Sequence, residues 1–360
     1  MKKWLWALVG VIVIAVVIGL FVHQKRAKQS EIIKIGAILP LTGDFAFFGE
    51  EIKKGIEIGI EKMKVIHPDL RVVVLYEDDQ SLSPVAAVNA ANKLIKADKV
   101  DCGVTMIVEE SRPIAPIFNK NKIPLLVLWD SNEFIRSAGE YIFSNGFSTE
   151  KAGILMAQFA YNNLKIRNVA VVKHVDPWAE IISKSFRQEF ERLGGNVISE
   201  ETVSPDEKDY RKIVADLKKE NPEGIYFALV PPNSALFLIQ AKQMGLSSIF
   251  LTGDAFIPDV ITAAGSASEG VFFTNIYTEK KEASEIRKLY KNKFGNEPVD
   301  VTIVSFGYDG IQKIIEAYYY GKGDIYKGLK MLFGPNRSAD RVEKIFKVES
   351  SKPLKIKEVE

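Results

Sequence analysis

Ile32-Ile33-Lys34-Ile35-Gly36-Ala37-Ile38-Leu39-Pro40-Leu41-Thr42 reads as one strand buried on both faces and ending in a turn. Apolar side chains stand on both parities of the run. That suits a strand of a parallel sheet covered on each side, not a half-solvated antiparallel one. The pattern recurs downstream. β-rich runs fall at Arg71–Tyr76, Asp101–Thr105, Leu125–Leu128, Asn168–Lys173, Asn196–Val203, Gly224–Leu229, Ile249–Leu251 and Gly270–Thr274. Between them lie amphipathic stretches at Gly49–Val65, Ser83–Ala97, Arg112–Asn121, Thr149–Asn163, Pro177–Leu193, Asp209–Lys219 and Asn233–Met244. Strands alternating with helices predict parallel α/β sheets covered on both faces. In the first helix Ile52, Ile56, Ile60 and Met63 form one stripe, with Gly55 and Gly59 placed to bring its backbone close to the sheet. Ser83-Pro84 and Asp176-Pro177 each supply an N-cap followed by proline at the first helical position. The series runs twice, over 31–143 and again from about 161. Helical stretches at Ala283–Phe294 and Val299–Tyr320 and a strand-like Glu343–Val348 follow.

Upstream of the opening strand, Met1-Lys2-Lys3 leads into an uncharged apolar run from Trp4 to Val22. A helix of that length is about 29 Å long, close to the hydrocarbon thickness of a bilayer. No small-residue cleavage site follows at Gly19-Leu20-Phe21-Val22-His23, so a retained anchor is expected rather than a removed signal. The soluble part then stands outside the cytoplasm, tethered to the membrane, or is released to the periplasm if the segment is cleaved. The single cysteine, Cys102, permits no internal disulfide. The net charge of the 360 residues is only +2, and the first 30 residues hold Lys and Arg but no acid. The remainder is therefore slightly acidic, which argues against a nucleic-acid footprint. Its length suits two cores.

In open parallel sheets, ligands bind beyond the carboxyl ends of the strands. That rule selects the loops Leu41–Gly49, Met106–Ser111, Trp129–Asn132, His174–Trp178, Val230–Asn233 and Gly253–Phe256. Together they offer aromatics (Phe48, Trp129, Trp178), short polar groups (Ser131, Asn132) and acids (Asp130, Asp254), the composition of a small-molecule site. Bland readings stand beside these: Trp178 as a lid on its own core, Phe47 and Phe48 as a staple for the first helix, Asp254 as a turn residue. Glu77-Asp78-Asp79 reads as turn and capping acids, not a metal cluster. Nothing points to a catalyst. His174 has no nucleophile in a recognisable elbow near it, and His-Glu-x-x-His, Walker and Gly-x-Gly-x-x-Gly patterns are absent. No enzyme activity, metal or cofactor is expected.

From about Ile32 to Val348 the chain resembles the branched-chain amino-acid binding proteins of ABC transporters. The residues carrying this are Ile33–Gly43, Phe48-Gly49-Glu50 with Gly55, Glu77-Asp78-Asp79, Ile123-Pro124-Leu125-Leu126, Trp178-Ala179-Glu180, Lys208-Asp209-Tyr210 and Phe306-Gly307-Tyr308-Asp309-Gly310. The resemblance implies the type I periplasmic binding protein fold: two doubly wound parallel-sheet lobes joined by three crossovers, near Ser144–Ser148, Phe273–Asn275 and Phe333–Asn336. Residues 31–146 with 275–333 would form one lobe, and 147–274 with 334–360 the other, after an N-terminal transmembrane helix in 1–30. It implies capture of an amino-acid-like ligand by lobe closure and delivery to an ABC permease, or ligand sensing on the same fold. Phe48 and Trp178 would be the cleft aromatics. Ser131 and Asn132 would lie in the loop holding the ligand carboxylate, and Asp254 would pair with the ligand ammonium. Where many members carry a Ser/Thr-rich loop, this chain has Ile107-Val108-Glu109-Glu110-Ser111, in which only Ser111 keeps that chemistry. Trp129-Asp130 is bulkier and more acidic than the small residues expected there. The acids and tryptophans suit a cationic or larger amino acid, an amide, a peptide or an aromatic compound at least as well as leucine.

Overall fold

The computed structural model describes residues 32–276, 280–335, 343–352 and 354–359. The apolar run Trp4–Val22, read above as an anchor, lies outside them. No helix among the described residues is long and apolar enough to cross a membrane.

The first series gives β1 (Ile33–Leu39), α1 (Ala46–Ile66), β2 (Val72–Asp78), α2 (Pro84–Lys93), β3 (Cys102–Thr105), α3 (Val108–Asn121), β4 (Leu125–Val127), α4 (Glu133–Ser137) and β5 (Ile142–Ser144). Its five strands pair in the order β2-β1-β3-β4-β5, all parallel. The opening strand is buried on both faces. Ile33, Ile35, Ala37 and Leu39 join the core under α1, while Ile38 joins a second core with Ala87, Leu94 and Phe118.

The chain then passes to a second sheet through α5 (Thr149–Asn162), β6 (Asn168–His174), α6 (Pro177–Arg192), β7 (Asn196–Val203), α7 (Arg211–Glu220), β8 (Gly224–Ala228), α8 (Asn233–Gln243), β9 (Ile249–Thr252), α9 (Pro258–Ala264) and β10 (Phe272–Ile276). Three helices follow, α10 (Lys280–Phe294), α11 (Val301–Tyr320) and α12 (Ile325–Phe333), before β11 (Glu343–Ser351) and β12 (Leu354–Val359). The second sheet runs β12-β11-β10-β9-β8-β6-β7. Strands β6 to β10 are parallel, but β11 pairs antiparallel with β10 and with β12, so this sheet is mixed rather than wholly parallel. Two of the late helices pack back on the helix after β1: Ile58 of α1 clusters with Ile286 and Tyr290 of α10 and Val304 and Tyr308 of α11.

Two expectations are corrected here. Gly55 and Gly59 face α11 and not the sheet; a Cβ at Gly55 would lie 2.1 Å from the Val304 carbonyl oxygen. They make a helix–helix contact closer than any larger residue allows. The third helix starts at Val108 rather than Arg112 and runs through Pro113 and Pro116, which each remove a backbone donor. Its start is held by Glu110 in its own first turn and by Asp130 from the loop after β4, and the second of these is not legible locally.

Candidate functional site

The carboxyl ends of both sheets face one another across a cavity of about 220 Å³. Phe45, Phe48, Met106, Glu109, Trp129 and Asp130 wall it on the side of the first sheet. Asp176, Trp178, Pro205, Val230, Pro231 and Asp254 wall it on the other. Almost all of the exposed wall is apolar.

Asp254, on the loop after β9, is 4% exposed and ties the walls together. It accepts the indole N–H of Trp129 from the first-sheet side at 3.1 Å, and that of Trp178 from its own side at 3.1 Å. Burial lifts its pKa above the usual carboxylate range, and the two indoles and its own amide only partly offset that. Trp129 is fixed by stacking on Phe306, with ring centroids 4.6 Å apart, and by an edge contact with Phe48 at 5.5 Å. Phe306 of α11 thus supports the site from behind.

The start of α3 carries two inward acids. Ile107 N–H donates to Glu110 Oε2 at 2.7 Å and Val108 N–H to Asp130 Oδ2 at 2.7 Å. Asp130 is fully buried, and burial followed by the charge of Glu109 pushes it well above its ordinary value. Glu109 reaches across to the start of α6. Burial raises it to about 7 and Asp176 adds to that, while its own amide, the Trp178 amide and Arg112 pull the other way. Glu110 turns from the cavity into the core and is wholly buried beside Asp79. Burial raises both acids, and each carboxyl stands against the other in the interior.

Asp78 and Asp79 are turn acids. Asp78 accepts the amides of Leu41 and Gln80 at 2.9 Å each and the Thr42 hydroxyl at 2.6 Å. Asp79 accepts Leu82 N–H at 2.7 Å. Between them and α2, Gln80, Ser81 and Leu82 sit in succession at φ 58°, 59° and 69°. Three consecutive non-glycine residues in the left-handed region require this many anchors. The strained turn holds Ser81 against Thr42 and Phe45 and places Leu82 on the cavity wall.

Of the site residues expected from sequence, Phe48, Trp129, Trp178 and Asp254 meet at the cavity. Ser111, Ser131 and Asn132 do not line it. The Ser111 hydroxyl donates to the carbonyls of Ile107 and Val108 at 2.8 and 3.1 Å. Ser131 N–H donates to Phe147 O at 2.6 Å, within the crossover between the sheets. Asn132 Oδ1 caps α4 by accepting Ile135 N–H at 2.9 Å. Backbone groups of the chain itself therefore take the polar atoms meant for a ligand. Asp130, one of the acids its loop offers, also lines the cavity, as do Glu109 and Asp176, which were not among the expected contacts; their position at strand ends was the available signal. His174 is buried away from the cavity wall, where Nδ1 accepts Val230 N–H at 3.2 Å. Burial pushes it down to about 4, so it is a neutral structural residue.

A family model described as periplasmic binding protein matches residues 32–318. Leu/Ile/Val-binding protein homolog 2 of Brucella abortus is 26% identical over 299 residues, spanning 79% of this chain and 77% of that one. A leucine-binding protein from Thermotoga maritima superposes with TM-score 0.81 at 26% identity, covering 91% of this chain and 98% of that one. An ABC-transporter solute-binding protein from Rhodopseudomonas palustris, solved with 3,4-dihydroxybenzoic acid, shares the fold with TM-score 0.80 at 22% identity, over 91% and 96% of the two chains.

Proposed function

The chain belongs to the periplasmic binding protein family, and from that premise we propose that it is the extracytoplasmic solute-binding protein of an ABC transporter. It captures an amino-acid-like small molecule by closing two lobes over it and hands that molecule to a permease. The lobes are 31–146 with 275–333 and 147–274 with 334–360, and the run Trp4–Val22 tethers them to the membrane.

One observation carries the reading. The cavity lies between the carboxyl ends of two separate sheets, and Asp254 of one wall is hydrogen-bonded to Trp129 of the other. A group that bonds across the gap is lost when the lobes part. A solute contacting both walls therefore stabilises the closed arrangement by its differential affinity for it. The ligand contacts are Phe48, Trp129, Trp178 and Asp254, with Asp254 as the polar anchor; a hydrogen bond to a charged group contributes about 1.5–3 kcal/mol. Calorimetric titration of the full chain with branched-chain and cationic amino acids, amides and aromatic acids tests this. At least one compound should bind with 1:1 stoichiometry, and Asp254→Ala should weaken it at least tenfold. A panel without a binder, or an Asp254→Ala chain with unchanged affinity, contradicts the reading.

A further inference from the structure

At the starts of α3, α4 and α6, amide donors are already taken by the chain's own carboxylates. A ligand carboxylate in a cleft of this kind needs free N–H groups at helix starts, hydroxyl donors or a cation in the wall, and no Ser, Thr or Tyr is among the lining residues. At α3, Ile107 N–H and Val108 N–H are bound to Glu110 and Asp130. At α6 the first residue, Pro177, has no N–H, Trp178 N–H faces the carboxylates of Asp176 and Glu109, and Ala179 N–H is bound to Asp176 Oδ1 at 2.8 Å. At α4, Glu133 N–H is bound to Glu150 at 2.7 Å. The side chains lining the cavity include no Lys, Arg or His. The guanidinium of Arg112, on α3, lies over the Phe134 ring at 4.8 Å. The wall nevertheless carries the four carboxyl groups of Glu109, Asp130, Asp176 and Asp254, set among the rings of Trp129 and Trp178. Glu109 Oε2 and Asp176 Oδ2 are buried without a hydrogen-bond partner.

Resting on the solute-capture reading and narrowing it, we propose that the cleft takes a compact organic cation that carries no carboxylate. The ligand is amino-acid-like in its ammonium end only. Its charge is met by Glu109 and Asp254, and its apolar body by the faces of Trp129 and Trp178. An ammonium over an indole face is attracted by the ring quadrupole, more strongly once desolvated. The two indole N–H groups are bound to Asp254 and Phe306 covers one face of Trp129, so a ligand meets that indole by its other face. The volume of about 220 Å³ is below the range of roughly 300–1,000 Å³ for drug-sized ligands, so the body is small.

The test titrates the full chain with choline, tetramethylammonium and phenethylamine, and in parallel with leucine and 4-hydroxybenzoate. At least one cation should bind at least tenfold more tightly than either carboxylate. Glu109→Gln, which keeps the side chain's shape and removes its charge, should weaken that cation at least fivefold. If leucine or 4-hydroxybenzoate binds as tightly as the best cation, the charge assignment falls and solute capture stands. If neither class binds, both fall. Unchanged cation affinity in Glu109→Gln also overturns the assignment.

Discussion

The starts of α3 and α6 face each other across the cleft and are closed in opposite ways. At α6 the cap is local: Asp176 accepts Ala179 N–H three residues on, and Pro177 brings no N–H to satisfy. At α3 one donor is met three residues on and the other from a distance. Val108 N–H goes to Asp130 on the loop after β4, and Glu110, which takes Ile107 N–H, is buried against Asp79 on the turn after β2. One start is an independent cap; the other binds three strand-end loops into one buried polar network. Losing a local cap leaves its surroundings intact. Losing a shared carboxyl strands donors and acceptors that no water can reach.

The largest effect should therefore fall on α3. Glu110→Ala leaves Ile107 N–H and the Asp79 carboxyl unmet in the interior, and should cost about 3 kcal/mol in urea unfolding. A loss under about 1 kcal/mol would make the two starts equivalent and break the comparison.

Protonation sharpens it next. Burial holds Glu110, Asp130, Asp176 and Asp254 above the ordinary carboxylate range and Glu109 at about 7. An acid raised in the folded state keeps a proton that the unfolded chain releases. Its contribution to stability is full below the ordinary carboxylate value and is lost as pH rises through the folded one. The melting temperature of the unliganded chain should fall by several degrees between pH 5 and pH 8, and Glu109→Gln should reduce the upper part of that fall. Glu189 and Asp209, lowered to about 2 by their arginine partners, act only at more acidic pH and leave this window alone. A flat or rising profile contradicts the buried-acid description.

The smallest effect belongs to the local cap. Asp176→Ala should cost about 1 kcal/mol, with Asp176→Asn recovering most of it, again by urea unfolding. A loss matching that of Glu110→Ala would show that α6 is held by more than its own N-cap.

The same contrast explains what could be read in the sequence. Asp176-Pro177 announces a helix start because cap and proline act within one turn. Ile107-Val108 announces nothing. Ile107 has no capping oxygen, Pro113 and Pro116 argue against a helix, and the decisive acceptor stands at Asp130. Both buried parities of Ile33–Leu39 gave the parallel sheet, whereas the antiparallel β11 and β12 carry too little apolar pattern to mark their direction. Phe48, Trp129, Trp178 and Asp254 were legible because strand ends point at a cleft. Ser111, Ser131 and Asn132 sit in equally promising loops, but the side chains of Ser111 and Asn132 turn to neighbouring backbone and Ser131 gives its N–H to the crossover, and position along the chain does not record that. The run Gln80-Ser81-Leu82 contains no glycine to betray its left-handed backbone.

The central claim is that two lobes close on a solute held by both. Spin labels at Val85, 71% exposed on α2, and at Lys212, whose side chain is 93% exposed on α7, read the distance between the lobes directly. Native Cys102 is buried and stays unlabelled. Saturation with the tightest-binding compound of the panel should collapse a broad distribution reaching long distances to a single shorter one. One distance, identical with and without that compound, would contradict the account.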